Sequence, residues 1–148
     1  MKKITRRSMC PISTTLDILG DKWTLLIIRD LMFRGKKTYG EFLQSEEKIA
    51  TNILADRLLT LEKAGIIKKT AFPGNRVKNL YQLTPKGIDL MPTLLEILVW
   101  GDKYFEIPED VHRLVGEIRK DRNGAIRVIS KRLAVGHEGE GDVVSQDE

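Results

Sequence analysis

Cysteine, histidine and long apolar runs are all scarce in this sequence, and each scarcity closes off a class of function. Cys10 is the single cysteine, so these 148 residues cannot form an internal disulfide. Nothing in them calls for an oxidising compartment. The two histidines, His112 and His137, stand far apart with no partner at metal-ligand spacing, which argues against a metal site. The longest nearly apolar run, Met91 to Trp100, is interrupted by Pro92 and Glu96. A bilayer span needs about 20 apolar residues, so no membrane role follows. The opening MKKITRRSMC has no apolar core of a secretory signal. A cytoplasmic location is the expectation. Gly136, Gly139 and Gly141 lack the preceding strand and following helix of a phosphate loop. No nucleophile elbow or paired ligand motif is present either, so neither an enzyme nor a bound cofactor is expected.

What is present is an ordinary globular composition, 41% apolar and 31% charged, with an uneven charge distribution. Residues 1–84 hold 16 Lys/Arg against 8 Asp/Glu, a balance of +8; residues 85–148 hold 9 against 13, a balance of −4. A basic front half suits a polyanion, and an acidic back half suits a part that never touches it.

The most informative stretch runs from Lys48 to Thr84. Ile53, Leu54, Leu58 and Leu61 fall on one face of a helix, opposite Asn52, Ala55, Asp56, Leu59 and Lys63, and Gly65 supplies a left-handed stop. Ile66–Phe72 and Leu80–Thr84 have strand composition, joined by a basic, turn-rich tip from Pro73 to Asn79. Before this, Ser13 or Thr14 is placed to cap a first helix ending at Gly20. Asp21 caps a second helix, Lys22–Arg34, whose broad apolar face makes it the central core member. Lys36-Lys37 is a basic link with edge-strand potential. Thr38 and Glu41 have capping-box spacing and start a short third helix, Tyr39 to Ser45. Two helices joined by a turn of a few residues form a helix-turn-helix. After the hairpin, Thr84 caps and Pro85 opens a fifth helix continuing toward Tyr104, with Pro92 as a kink. A sixth helix runs from Glu109 to about Arg122, stopped at Asn123-Gly124, and a last one from Ala125 to Leu133. The domain plan is a basic arm (1–9), a winged helix-turn-helix (10–106), a helical extension (107–135) and an acidic tail (136–148) expected to be disordered. The fold class is α+β, mainly α, with a two- or three-stranded antiparallel wing.

From Cys10 to about Tyr104 the sequence resembles the HxlR family of bacterial winged-helix transcription regulators, relatives of the MarR group. The residues carrying the resemblance are Cys10-Pro11, Leu16 to Leu19, Gly20-Asp21-Lys22-Trp23-Thr24-Leu25-Leu26-Ile27 and Tyr39-Gly40-Glu41-Phe42. They continue with Leu54 to Leu58, Leu61 to Ile67, Tyr81 to Thr84, Gly87 and Trp100-Gly101. The resemblance implies a homodimer held by the first helix and the long helices after the wing, with Leu16, Leu95, Leu98, Val99, Trp100 and Tyr104 at the interface. The family usually has Ser at the start of the recognition helix, where this chain has Ala50 followed by Thr51. Residues beyond about 106 inherit nothing from it.

Double-stranded DNA is thus the expected partner, with helix 50–64 in the major groove and wing 73–79 on the adjacent backbone or minor groove. The candidate contacts are Lys36, Lys37, Thr38, Ala50, Thr51, Asn52, Ala55, Asp56, Arg57, Arg76 and Lys78. Asn52 has the chemistry for a bidentate bond to adenine, Asp56 for accepting from cytosine, and Arg57 for reaching a phosphate. The helix is charge-neutral overall, so affinity is assigned to the wing, the Lys36-Lys37 link and the arm. Cys10 precedes a helix and stands near Arg6 and Arg7, features that lower a thiol pKa. Some HxlR relatives use the matching cysteine to sense oxidants, quinones or aldehydes, which makes a small-molecule or oxidant effector a candidate; a small buried hydrophobe is the plainer reading of Cys10. The competing function is a winged-helix module for protein contacts without sequence-specific DNA binding.

Overall fold

The structure, a computed structural model, describes residues 5–138. The expectations for Lys2, Lys3 and most of the acidic tail lie outside these. The elements are α1 (Pro11–Leu19), α2 (Thr24–Phe33), α3 (Tyr39–Leu43), α4 (Thr51–Lys63), β1 (Ile67–Phe72), β2 (Asn75–Leu83), α5 (Pro85–Ile88), α6 (Met91–Tyr104), α7 (Glu109–Lys120) and α8 (Arg122–Glu138). They divide into two compact units, up to Gly87 and from Ile88 onward. This division falls before the 106/107 boundary read from sequence, because α6 packs with α7 and α8. No helix among the described residues is long and apolar enough to cross a membrane.

In the first unit the core forms where the helical apolar faces meet the root of the hairpin. Ile27, Ile28 and Leu31 of α2, Phe42 of α3, and Leu54, Leu58 and Leu61 of α4 are buried with Ile66, Ile67, Leu80, Tyr81 and Leu83. Phe42 meets the Tyr81 ring edge-on, centroids 6.1 Å apart. The strands pair antiparallel with Ile67 opposite Leu83 and Thr70 opposite Leu80. Lys37 contributes one bond, its carbonyl accepting from Tyr81 N at 2.7 Å, but no third strand. At the hairpin base Thr84 Oγ1 donates to Gly65 O at 2.5 Å, and Gly65 takes φ +73° to end α4. Gly87 lies so close that a Cβ would come within 2.2 Å of Ile66 O, so only glycine fits.

Five expectations change. Helix α2 starts at Thr24 rather than Lys22, with Trp23 and not Asp21 in the cap position, because the Asp21 carboxylate accepts from the Trp23 and Thr24 amides and holds residues 21–23 in a turn. Helix α1 begins at Pro11, with Cys10 rather than Ser13 or Thr14 in the cap position, because proline suits the first turn where no amide donor is needed. For the same reason Pro92 opens a new helix, α6, instead of kinking a long one. The expected wing tip from Pro73 to Asn79 shrinks to a Pro73-Gly74 turn with Gly74 at φ +76°, and β2 starts at Asn75. Asn75 Oδ1 accepts from Val77 N and Lys78 N, and the register shifts there, pairing Phe72 with Asn75 and Ala71 with Asn79. Finally, α7 stops at Lys120 and α8 runs through Asn123-Gly124, because Asp121 Oδ1 accepts from Gly124 N at 2.9 Å and starts the last helix.

In the second unit, Asp102 of α6 is buried, its side chain 1% exposed, and is met by two side chains of α7. His112 Nδ1 lies 2.7 Å from Oδ1 and Arg119 Nη2 lies 3.2 Å from Oδ2. Arg119 also donates to Val99 O at 3.3 Å, and Arg122 of α8 pairs with Glu96 at 2.5 Å.

Candidate nucleic-acid interface

The helix-turn-helix is set by charge as well as by packing. Thr38 Oγ1 accepts from Glu41 N at 3.3 Å while Glu41 Oε2 accepts from Thr38 N at 2.9 Å, the reciprocal pair expected from spacing. The same carboxylate accepts from Lys37 N at 2.7 Å, and that bond is the main reason Glu41 titrates below the usual carboxylate range. Between the helices Lys48 takes φ +54°, a left-handed conformation that non-glycine residues adopt rarely. A bidentate pair beside it anchors the turn to α2: Arg29 Nη1 lies 2.5 Å from Glu47 Oε1 and Nη2 lies 3.0 Å from Oε2. Arg29 holds the Glu47 carboxyl down to about 2. Arg29 also donates to the buried Asp30, which accepts from Ser45 Oγ as well.

The network around Asp30 and the α3 cap engage two of the expected contact residues. Lys36 turns inward, donating to Ser45 Oγ at 2.6 Å and lying 3.8 Å from Asp30 Oδ2, so its charge is engaged inside the fold. Thr38 is buried and occupied as the α3 cap. Lys37 stays exposed, with its backbone engaged at both ends.

Helix α4 presents Thr51, Asn52, Ala55 and Asp56 to solvent. Ala50 sits extended in the cap position, and no side chain caps the helix, so its first amides remain open to an anion. Tyr39 OH donates to Thr51 O at 2.9 Å and ties the first turn of α4 to α3, a task that the Tyr39-Gly40-Glu41-Phe42 motif does not reveal by itself. Arg57 lies on the flank of α4, near two carboxylates. Arg76 and Lys78 are exposed on β2, the Lys78 ammonium 4.3 Å above the Phe72 ring. An open cleft of about 680 Å³, counting space open to solvent, runs between the start of α3 and the wing, lined by Tyr39, Gly40, Val77 and Lys78 among others.

Cys10 is exposed. Arg7, expected beside its thiol, instead pairs with Asp17 at 2.5 Å. Of the residues assigned to a dimer interface, Leu16, Trp100 and Tyr104 are more than half exposed and Leu98 and Val99 partly so. Leu95 departs from the expectation: it is 1% exposed and buried within the chain itself. Ile12 and Ile97, not singled out from sequence, are also at least half exposed. Their spacing, Ile12 four residues before Leu16 and Ile97 three before Trp100, was the signal available.

Comparison with known proteins gives a consistent result. A sequence model described as HxlR-like helix-turn-helix matches residues 18–109. The chain is 38% identical over 95 residues to YdeP, an HTH-type transcriptional regulator of Bacillus subtilis, covering 64% of this chain and 73% of YdeP. It is 35% identical over 100 residues to the B. subtilis HTH-type transcriptional regulator YodB, covering 67% of this chain and 88% of YodB. The reduced form of YodB superposes with a TM-score of 0.55, covering 67% of this chain and 97% of that one; YodB is also known in a quinone-bound structure. The redox regulator HypR in its oxidised form is 31% identical with a TM-score of 0.58, over 66% of this chain and all of HypR.

Proposed function

Because the chain belongs to the HxlR-like helix-turn-helix family of transcriptional regulators, we propose that it acts as a homodimer on a roughly palindromic DNA operator. Helix α4 enters the major groove, and the β1–β2 wing lies on the adjacent backbone or minor groove. The observation that carries this reading is the leading end of α4: an uncapped helix start followed by exposed Thr51, Asn52, Ala55 and Asp56. Asn52 offers a donor and an acceptor to an adenine edge, and the open amides face a phosphate. Arg76, Lys78 and Lys37 supply sequence-independent attraction; Lys36 and Thr38 drop out because their polar groups are engaged internally. A mobility shift on the DNA upstream of its own gene, at two salt concentrations, tests this. The expected result is a specific shift that weakens steeply with salt; a protein-contact module gives none.

Dimerisation is supported by the exposed apolar side chains of α1 (Ile12, Leu16) and of α6 (Ile97, Trp100, Tyr104). The thiol of Cys10 is the candidate receptor for an effector. It is exposed at the start of α1, and the relatives include a quinone-bound YodB and the redox regulator HypR. Addition of the thiol across a quinone ring forms one C–S bond and needs no further reactant. Mass spectrometry of the native protein after quinone treatment should show one adduct at Cys10; an unmodified thiol removes this part of the proposal.

A further inference from the structure

Among the described residues, one buried side-chain nitrogen has no hydrogen-bond partner: Nε of Arg57, on the flank of α4. Two carboxylates stand near the rest of the guanidinium, and neither comes close. Nη1 is 3.5 Å from Asp21 Oδ1, and Nη2 is 3.4 Å from Asp56 Oδ2. Good charge-assisted bonds of this kind measure roughly 2.7–2.9 Å. A group with five donors is therefore held by charge while its hydrogen-bonding capacity goes largely unused.

Asp21 cannot move closer, because its oxygens are engaged at the start of α2. Oδ2 accepts from Trp23 N at 2.9 Å and Thr24 N at 3.0 Å, and Oδ1 accepts from Thr24 Oγ1 at 2.5 Å. Thr24 itself is fully buried, so the carboxylate is fixed in place. Asp56 is less enclosed, its side chain half exposed.

We propose that Asp21 is a positioning residue for DNA binding: with Asp56 it restrains the Arg57 guanidinium in the free protein and yields it to a backbone phosphate when the duplex docks. The inference rests on the DNA-binding reading above and assigns a control to it. A phosphate oxygen can close on the Nη donors of this partly exposed side chain as the engaged Asp21 carboxylate cannot. Because Asp21 competes with phosphate and not with bases, its restraint weakens binding to every sequence alike. Asp21 also joins the recognition helix to the junction that follows α1, the helix headed by Cys10.

The test uses the full chain and three variants: Asp21→Asn, Arg57→Gln and the double substitution. Asparagine keeps an oxygen able to cap α2 and removes the charge facing Arg57. Affinity is read by fluorescence anisotropy on an operator duplex and an unrelated duplex, from about 0.05 to about 0.3 M salt. Asp21→Asn should tighten both duplexes by the same factor, about two- to five-fold, leaving their ratio unchanged. Arg57→Gln should weaken both and lower the salt slope by about 0.9 for each phosphate it no longer neutralises. In the Arg57→Gln background, Asp21→Asn should change nothing. A gain from Asp21→Asn that survives without Arg57 overturns the proposal, as does an unaltered slope in Arg57→Gln. If Asp21→Asn fails to fold, Asp56→Asn, which touches no cap, must show the same dependence on Arg57 on the unrelated duplex, where its base contact plays no part, or the proposal fails. A wild-type chain that binds neither duplex sinks the DNA-binding reading itself, an outcome separate from these.

Discussion

Replacing Arg76 and Lys78 together by glutamine removes two charges from the wing of each protomer and four from a dimer. Both side chains are exposed, and the Lys78 charge is only the smallest of the influences that lower the Glu41 carboxyl, so little stability is at stake. The Lys78 contact with Phe72 is an exposed cation–π pair worth about 0.5–1 kcal/mol, and the strand register is set by backbone bonds the substitution leaves alone. Binding is another matter. Each neutralised phosphate contributes about 0.9 to the slope of log affinity against log salt, so removing four such charges flattens the slope by about 3.6. Between about 0.05 and about 0.2 M salt, the gap in affinity between wild type and variant should then shrink about 150-fold. Anisotropy titrations over that range, with circular dichroism to verify the fold, measure it directly. Parallel lines for the two proteins would refute the assignment of the wing to the DNA backbone, whatever their vertical offset.

Three further outcomes follow from the same geometry. Asn52→Ala should leave thermal stability unchanged, since the residue is exposed, and should relax base preference at one step by about 1–3 kcal/mol in a competition against single-base operator variants. Trp100→Glu, placed on an exposed apolar face of α6, should shift the sedimentation coefficient from dimer to monomer; an unchanged dimer would remove α6 from the interface. The third concerns acid. Arg29 depresses the Glu47 carboxyl from about 4.5 to about 2, so its contribution is complete above the unfolded value and is lost as pH falls from about 4.5 toward about 2. Linkage sets an upper bound of about 3 kcal/mol, which solvent screening of this partly exposed pair lowers to about 1 kcal/mol. Denaturant unfolding of wild type and Glu47→Gln should converge across that window, and curves that stay equally separated at all pH values would contradict it.

Local rules were enough to read the helix-turn-helix. The Thr38/Glu41 pair, the glycine stop at Gly65 and the apolar face of α4 are encoded within a few residues, and all three stand in the structure as read. What stayed hidden depended on side chains that only the fold brings together. Asp30 sits among apolar residues of α2 and looks like surface until Arg29, Lys36 and Ser45 are brought around it. Once they are, Lys36 can no longer be a free cation. Pro92 was ambiguous for a different reason: proline is compatible with both a kink and a first turn, and spacing alone does not choose. The wing tip shortened because the Asn75 side chain replaces strand pairing locally, letting β2 begin where turn residues cluster.

The buried carboxylate of Asp102 carries an obligation for the rest of the chain. Its side-chain partners, His112 and Arg119, lie past residue 109, where the family match ends, while Asp102 itself lies inside the match. A carboxylate sealed from water needs a counter-charge, and here Arg119 of α7 brings it. The C-terminal helices are thus no detachable ornament: a version of this protein cut at the family boundary, or given another relative's ending, would leave Asp102 without the guanidinium that balances it.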